Sequence, residues 1–217
     1  MGVEDSIKGR VVEAVQADLA NGQDAYAWRK IRLVIDDTRG RDALTSFYGV
    51  DMTRDQFCAL IKKRKTLIEA VQDVKSQDGY VLRVFAIAFT KETFGQKRKT
   101  NYALSSQQKS IRRKINEIVA KEISKANANQ ILNLFTSEVV EKKITKEVSP
   151  IYPVRNVRIR KIKVIQRPKV DSTKLAEMHD NDKRILTKAA EGKKALRGDK
   201  KKKEEDTNEA VNLLNRE

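Results

Sequence analysis

Thr66-Leu67-Ile68-Glu69-Ala70-Val71-Gln72-Asp73-Val74-Lys75, Ser76-Gln77-Asp78-Gly79 and Tyr80-Val81-Leu82-Arg83-Val84-Phe85-Ala86-Ile87-Ala88-Phe89 together form the stretch that decides the fold. Both flanks are rich in strand formers, and the Asp-Gly between them supplies the positive φ that a tight hairpin needs. Residues 66–75 and 80–91 are therefore expected to pair as antiparallel strands. The second run is apolar on nearly both faces, the pattern of a strand covered from both sides, and is expected at the centre of the sheet.

Toward the N-terminus, residues 10–16 and 28–35 are also strand-like, with Ile31, Leu33 and Ile35 alternating with Arg32 and Val34. Asn21-Gly22 marks the turn between them, Thr38-Arg39-Gly40 marks another, and 43–48 read as a short third strand. Thr53-Arg54-Asp55-Gln56 fits a capping box, and Phe57, Leu60 and Ile61 follow on one face. The expectation is a helix of about three turns, ending at Lys62-Lys63-Arg64-Lys65 where positive charge suits the macrodipole.

Toward the C-terminus, 92–103 read as a loop. Ser105-Ser106-Gln107-Gln108 offers a second capping box, and Ile111, Ile115, Ile118, Val119 and Ile123 then fall on one helical stripe. Two shorter helices are expected near 129–135 and 137–148, stopped by Pro150 and Pro153. In 155–169 Val157 and Ile159 alternate with Arg158 and Arg160, while Ile162 and Val164 continue one phase out. A phase slip inside a strand predicts a bulge at Arg160-Lys161. From 171 the composition shifts to Lys, Glu, Asp and Ala, and no core-forming pattern remains.

These elements predict an α+β fold: a strongly twisted, mainly antiparallel sheet, open or partly closed into a barrel, with packed helices and a flexible charged C-terminal tail. Residues 1–170 are the expected body and 171–217 the tail. With 39% hydrophobic residues in 217, the chain can fill a core for a body of roughly 150–170 residues but not for its whole length.

Forty-six Lys and Arg face thirty Asp and Glu, for a net charge of +16. Two segments hold nearly all of that excess: 91–125 contribute +7, and 155–169 contribute +7 without a single acid. Self-repulsion on this scale is neutralised most simply by a polyanion, and two concentrated blocks point to contact surfaces for nucleic acid. The longest wholly apolar run, 84–89, is six residues, against roughly twenty for a bilayer span, and no signal pattern opens the chain, so no membrane partner is expected.

Chemistry finds little support. One cysteine and one histidine exclude an intrachain disulfide and a Cys/His zinc site. No Gly-rich phosphate loop occurs. His179 has no nucleophile beside it, Cys58 follows Phe57 on an apolar face and reads as buried packing, and Asp36-Asp37 reads as a solvated turn rather than a metal pair. No catalytic residue, metal or cofactor is expected.

The binding candidates are basic. Lys62, Lys63, Arg64 and Lys65 form one run. Lys97, Arg98 and Lys99 form another, beside Tyr102, where charge next to an aromatic suits phosphate contact with base stacking. Lys109, Arg112 and Arg113 lie on the long helix. Arg155, Arg158, Arg160, Lys161, Lys163, Arg167 and Lys169 make a ladder on a strand that carries no acid. Lysines on an edge strand also guard against aggregation, but one or two suffice for that. Here there are seven basic residues, four of them the arginines that suit bidentate phosphate binding.

Ile7-Lys8-Gly9-Arg10-Val11-Val12-Glu13, with Asp18-Leu19 after it, resembles the opening signature of the archaeal and eukaryotic ribosomal protein family called S-three-A, or S-one-e. The likeness continues through Gly49-Val50-Asp51-Met52-Thr53-Arg54-Asp55, Asp78-Gly79-Tyr80-Val81-Leu82-Arg83 and Arg98-Lys99-Thr100-Asn101-Tyr102-Ala103. It reaches Ile151-Tyr152-Pro153, Lys174-Leu175 and Met178-His179, covering about residues 7–180. Val15 and Gln16 depart from the small residue and Leu that the signature favours. The family's usual Lys-rich leader with its Trp is not seen ahead of Ile7, so no leader-mediated rRNA contact is carried over from the resemblance, and the tail after 180 is unlike other members. The resemblance implies a non-enzymatic protein of the small-subunit platform, binding rRNA near the messenger exit and touching neighbouring ribosomal proteins. It also implies initiation factor three docking close by, a cytoplasmic location on the ribosome and, in a eukaryote, passage through the nucleus for assembly. The alternatives are a free RNA-binding protein outside the ribosome and an enzyme acting on RNA.

Overall fold

The computed structural model describes residues 6–19, 26–39, 42–169, 173–174, 177 and 180–181. The turn expected at Asn21-Gly22, His179 and most of the expected tail lie outside them. Every element named below falls within the compact unit Met1–Lys169.

Six strands form one sheet in the order β1-β2-β3-β6-β5-β4, and every neighbouring pair is antiparallel. They are β1 (Val11–Val15), β2 (Arg29–Arg39), β3 (Asp42–Met52), β4 (Leu67–Lys75), β5 (Val81–Thr90) and β6 (Val154–Gln166). Five helices are described with the sheet: α1 (Gln16–Leu19), α2 (Arg54–Leu60), α3 (Ser105–Ile123), α4 (Ala128–Thr136) and α5 (Val139–Val148). The fold is α+β as expected. The sheet is open, with β1 and β4 at its two edges, rather than closed toward a barrel.

The hairpin that decides the fold is β4–β5, in unbroken register from Leu67↔Phe89 to Lys75↔Val81. Gly79 takes φ +85 in its turn, where a side chain would be strained, and the Ser76 hydroxyl accepts from the Tyr80 N–H at 3.1 Å. β5 is buried on both faces from Ala86 to Thr90, but it stands second from the edge; β3 and β6 occupy the middle of the sheet. A strand flanked by only one further strand can still be covered on both faces, so double-sided apolarity reports coverage and not rank.

Alternate residues of β4 and β5 (Ile68, Ala70, Val74; Leu82, Val84, Ala86, Ala88) join Val157, Ile159 and Ile162 of β6 in one core. The helices close it with Ile111, Ile115, Ile118, Val119 and Ile123 of α3, Ile131 and Phe135 of α4, and Val140, Ile144 and Val148 of α5. The whole predicted stripe of α3 is buried. Its start differs by one residue: Leu104 is the cap position, and Gln107 accepts from the Leu104 N–H at 3.0 Å. A side-chain amide three residues into the helix does this wherever the chain enters in an extended conformation, as Leu104 does at φ −62, ψ 153.

Three further expectations need correction. β3 runs for eleven residues instead of the short 43–48, because its second half pairs with β2 and β6. α2 spans seven residues, about two turns, and buries none of them; Cys58 is exposed. Asp36 and Asp37 lie inside β2, not in a turn, and pair with Arg167 at 3.1 Å and Lys8 at 3.0 Å.

β6 follows the sequence reading closely. Its register against β5 jumps from Phe85↔Lys161 to Ala86↔Ile159, so Arg160 is the extra residue of a bulge. That extra residue returns Ile162 to the face of Val157 and Ile159. Similar jumps leave extra β6 residues near Asn156, which has φ +51, and near Ile165.

Candidate nucleic-acid interface

The loop at 92–103 is built from a chain of polar contacts. Thr90 and Asn101 are buried at 0% and 1% exposure. The Thr90 hydroxyl donates to the Asn101 carbonyl at 2.5 Å and accepts from the Thr66 N–H at 2.9 Å. The Asn101 N–H donates to the Arg64 carbonyl at 2.9 Å, and the Ala103 N–H to the Thr66 hydroxyl at 3.1 Å. The Gln96 amide nitrogen reaches Arg98 O and Thr100 O, both at 2.8 Å, and Asn101 Oδ1 at 2.6 Å.

These bonds weld the segment after α2 to the loop before α3, and bring two basic runs together that are more than thirty residues apart in sequence. Lys62, Lys63, Arg64, Lys97, Arg98 and Lys99 are all exposed there. Lys109 and Arg113, one turn apart on α3, are exposed as well. None of these eight has an ion-pair partner among the described residues. Tyr102, three residues after Lys99, is exposed. Lys65 is the exception in its run: its side chain is 10% exposed and lies 3.6 Å from Glu92, so it faces inward.

The β6 ladder behaves differently. It has no acid of its own, yet the folded chain brings acids to it from four other elements. Lys161 stands directly across from Asp51 of β3, 2.8 Å away. Asp51 also meets Arg32 at 3.3 Å, and Arg32 meets Glu13 at 2.7 Å, so opposite charges alternate across β1, β2, β3 and β6. Arg167 pairs with Asp36 at 3.1 Å. Arg160 lies 3.6 Å from Glu69 of β4 and 4.4 Å over the Phe57 ring. Both partners in the Arg160–Glu69 pair are about half exposed, so this contact is weak.

Arg158 is committed most deeply. Its Nη1 donates to Glu141 Oε2 and reaches Glu138 Oε2, each at 2.7 Å. Arg29, 3% exposed, adds a second guanidinium: 3.8 Å from Glu138, 3.2 Å from Gln16 Oε1 and 4.4 Å over the Trp28 ring. Burial pushes the Glu141 carboxyl up from the ordinary carboxylate range, against the pull of the Ile159 N–H and Arg158. Burial likewise lowers Arg29. Two arginines and two glutamates close off the stretch of β6 that runs past the end of β3.

Arg112 is also occupied within the fold, since its Nε donates to the Glu69 carbonyl of edge strand β4 at 3.2 Å. Arg155, Lys163 and Lys169 have no ion-pair partner among the described residues, although Lys163 Nζ sits 5.9 Å from the Phe85 ring. The structure therefore brings the run Lys62, Lys63 and Arg64 to the loop of Lys97, Arg98 and Lys99, and leaves these six, Lys109, Arg113 and Tyr102 exposed. It leaves Arg155, Lys163 and Lys169 without acids along β6 and just beyond. It ties Lys65, Arg112, Arg158, Arg160, Lys161 and Arg167 to partners within the fold.

A model of the Ribosomal S3Ae family matches residues 2–168. The chain belongs to the Ribosomal S3Ae family. The small ribosomal subunit protein eS1 of Tetrahymena thermophila is 49% identical over 183 residues, covering 83% of this chain and 69% of that protein. The blocks 7–13, 49–55, 78–83, 98–103 and 151–153 of the sequence resemblance lie within the S3Ae match, and 174–175 and 178–179 lie beyond it. As an S3Ae protein the chain is a structural ribosomal component and not an enzyme. Among the described residues no group of three or more metal-ligating side chains comes together, and no helix is long and apolar enough to cross a membrane.

Two contributors escape the sequence reading. Gln96 gives no signal, because an exposed loop glutamine has no periodic or motif context. Phe94 does give one: an aromatic next to Gly95 and just ahead of three consecutive cations is unusual in a solvated loop.

Proposed function

We propose that this S3Ae chain anchors itself in the small subunit by gripping rRNA with the surface made of Lys62, Lys63, Arg64, Lys97, Arg98, Lys99, Lys109 and Arg113. The carrying observation is that these eight cations are exposed without acidic partners among the described residues, six of them on two runs tied together through the Asn101–Arg64 backbone bond, whereas most β6 cations are neutralised within the fold. Arg155, Lys163 and Lys169 supply further contacts, and Arg160 does so by exchanging Glu69 for phosphate. On this reading residues 1–170 form the rRNA-binding body and 171–217 a charged extension.

The finer placement rests on the family resemblance: the platform of the subunit near the messenger exit, beside other ribosomal proteins, with initiation factor three docking nearby, in the cytoplasm after any nuclear assembly. Locating the chain in the assembled small subunit tests that placement.

Filter binding of the purified chain to small-subunit rRNA, from about 50 to about 200 mM salt, tests the grip. Six to eight phosphate contacts should lower affinity by roughly three to five decades over that range. The triple variant Lys97→Gln, Arg98→Gln, Lys99→Gln should bind more weakly, with a slope shallower by about one unit per lost contact. A flat salt response, or a triple variant identical to the parent, would overturn the proposal.

A further inference from the structure

We infer that the loop part of this surface takes unpaired RNA, with splayed bases stacked on Phe94 and Tyr102, and does not grip a duplex; the inference rests on the RNA-binding reading above. Among the described residues ten large hydrophobic side chains are exposed, and four of them, Ile61, Phe94, Tyr102 and Leu104, flank the basic runs. Phe94 is 106% exposed and Tyr102 61%. A ring held fully in water contributes nothing to the core, so its packing value is realised only against a ligand.

The scaffold keeps Phe94 outside. Gln96 N–H donates to the Thr93 carbonyl at 3.1 Å, and the Gln96 side chain accepts from the Thr93 N–H at 3.3 Å. Gly95 between them has φ +76, which few other residues would adopt. The turn 93–96 thus projects the Phe94 ring away from the body, and the Gln96 amide, sharing its two N–H hydrogens among Arg98 O, Thr100 O and Asn101 Oδ1, fixes the turn to 98–101. Such preorganisation lowers the ordering cost on binding.

Charge and shape then select the ligand. The loop's one acid, Glu92, is occupied by Lys65 and by the Asn101 amide at 3.3 Å, which leaves cations facing outward beside the rings. That combination of phosphate-binding charge and open π-faces fits a single strand. In an A-form helix the bases are already stacked on each other and the deep groove excludes a side chain, so Phe94 and Tyr102 would remain in water. An acidic protein would satisfy the lysines but offers fewer flat faces to the rings.

Fluorescence anisotropy with the full chain tests the inference, using a uridine strand of about 12 nucleotides and an RNA duplex of about 12 base pairs. Phe94→Ala and Tyr102→Ala should each weaken strand binding by about 5- to 150-fold while leaving duplex binding and salt slopes unchanged. Phe94→Trp should retain strand affinity, because it keeps a ring. Both positions are exposed, and unchanged thermal melting of each variant excludes misfolding. If the ring variants match the parent, or lose strand and duplex affinity alike, stacking is refuted. When that happens while the Lys97-Arg98-Lys99 triple variant still loses affinity and slope, the RNA-binding reading survives alone; if the triple variant is also unaffected, both fail. Phe94-dependent binding of polyglutamate in place of RNA would assign the surface to an acidic protein and overturn the inference.

Discussion

Gly49 of β3 lies so close to Ile162 of β6 that a Cβ built on it would stand 2.5 Å from the Ile162 carbonyl oxygen. The contact falls within the strand pairing that joins β1-β2-β3 to β6-β5-β4, the three pairs Gly49↔Lys163, Val50↔Ile162 and Asp51↔Lys161. A backbone oxygen in a ladder cannot swing aside, so either the strands part or the side chain is absent. Gly49→Ala should therefore destabilise the protein by about 1–3 kcal/mol, as overpacking does, with a lower urea midpoint and an unchanged denaturant slope. An alanine variant as stable as the parent would mean that the two halves of the sheet can separate locally at no cost.

Arg158 and Arg160 lie two residues apart on β6 but should respond differently to removal. Arg158→Gln strips Glu141 and Glu138 of their shared donor in a mostly buried setting and should cost about 3 kcal/mol, the low end for breaking a buried pair because Arg158 keeps some exposure. Arg160→Gln should leave stability within about 0.5 kcal/mol. Chemical denaturation of the two single variants decides this; equal losses would show that the Glu138–Glu141 cluster is not what holds Arg158.

The Arg158→Gln deficit should also depend on pH. Burial raises the Glu141 carboxyl above its unfolded value, so the ionised group destabilises the fold, and stability from it is lost as pH rises through the folded pKa. Removing Arg158 takes away one of the forces opposing that rise. The stability gap between parent and Arg158→Gln should consequently widen from about pH 5 to about pH 7, measured by urea denaturation at each pH. A gap that narrows over this interval would place the neutralising partner elsewhere.

Ile159, at 5% exposure, faces the helices with Val157 and Ile162. Ile159→Ala should lower stability by about 2–5 kcal/mol without changing the salt slope of RNA binding. A change in slope with little loss of stability would mean that the two faces of β6 are assigned the wrong way round.

Removal of 181–217 should leave the thermal midpoint nearly unchanged, since that segment has no sustained apolar periodicity to bury. A drop of several degrees would show that the extension packs on the body.

Local pattern alone settled a good deal of this protein. The Asp78-Gly79 turn, the stripe Ile111-Ile115-Ile118-Val119-Ile123 and the phase slip at Arg160 each depend on residues near one another in the chain, and each appears in the structure as the sequence implies. Alternation and helical period are backbone properties, so burial on one face can be read without knowing what covers it. The order of the strands was not readable in this way, because β5 carries the same apolar signal whether it stands at the centre or next to an edge. The fate of the charges was decided only by tertiary structure. Arg158 and Lys97 look alike in sequence, but Coulomb interactions depend on distance in space, and folding brings Glu138 and Glu141 to Arg158 while it brings Lys62, Lys63 and Arg64, not acids, to the loop of Lys97. A sequence can count its cations; which of them remain unpaired for a partner is fixed by the packing of strands and helices remote from each other along the chain.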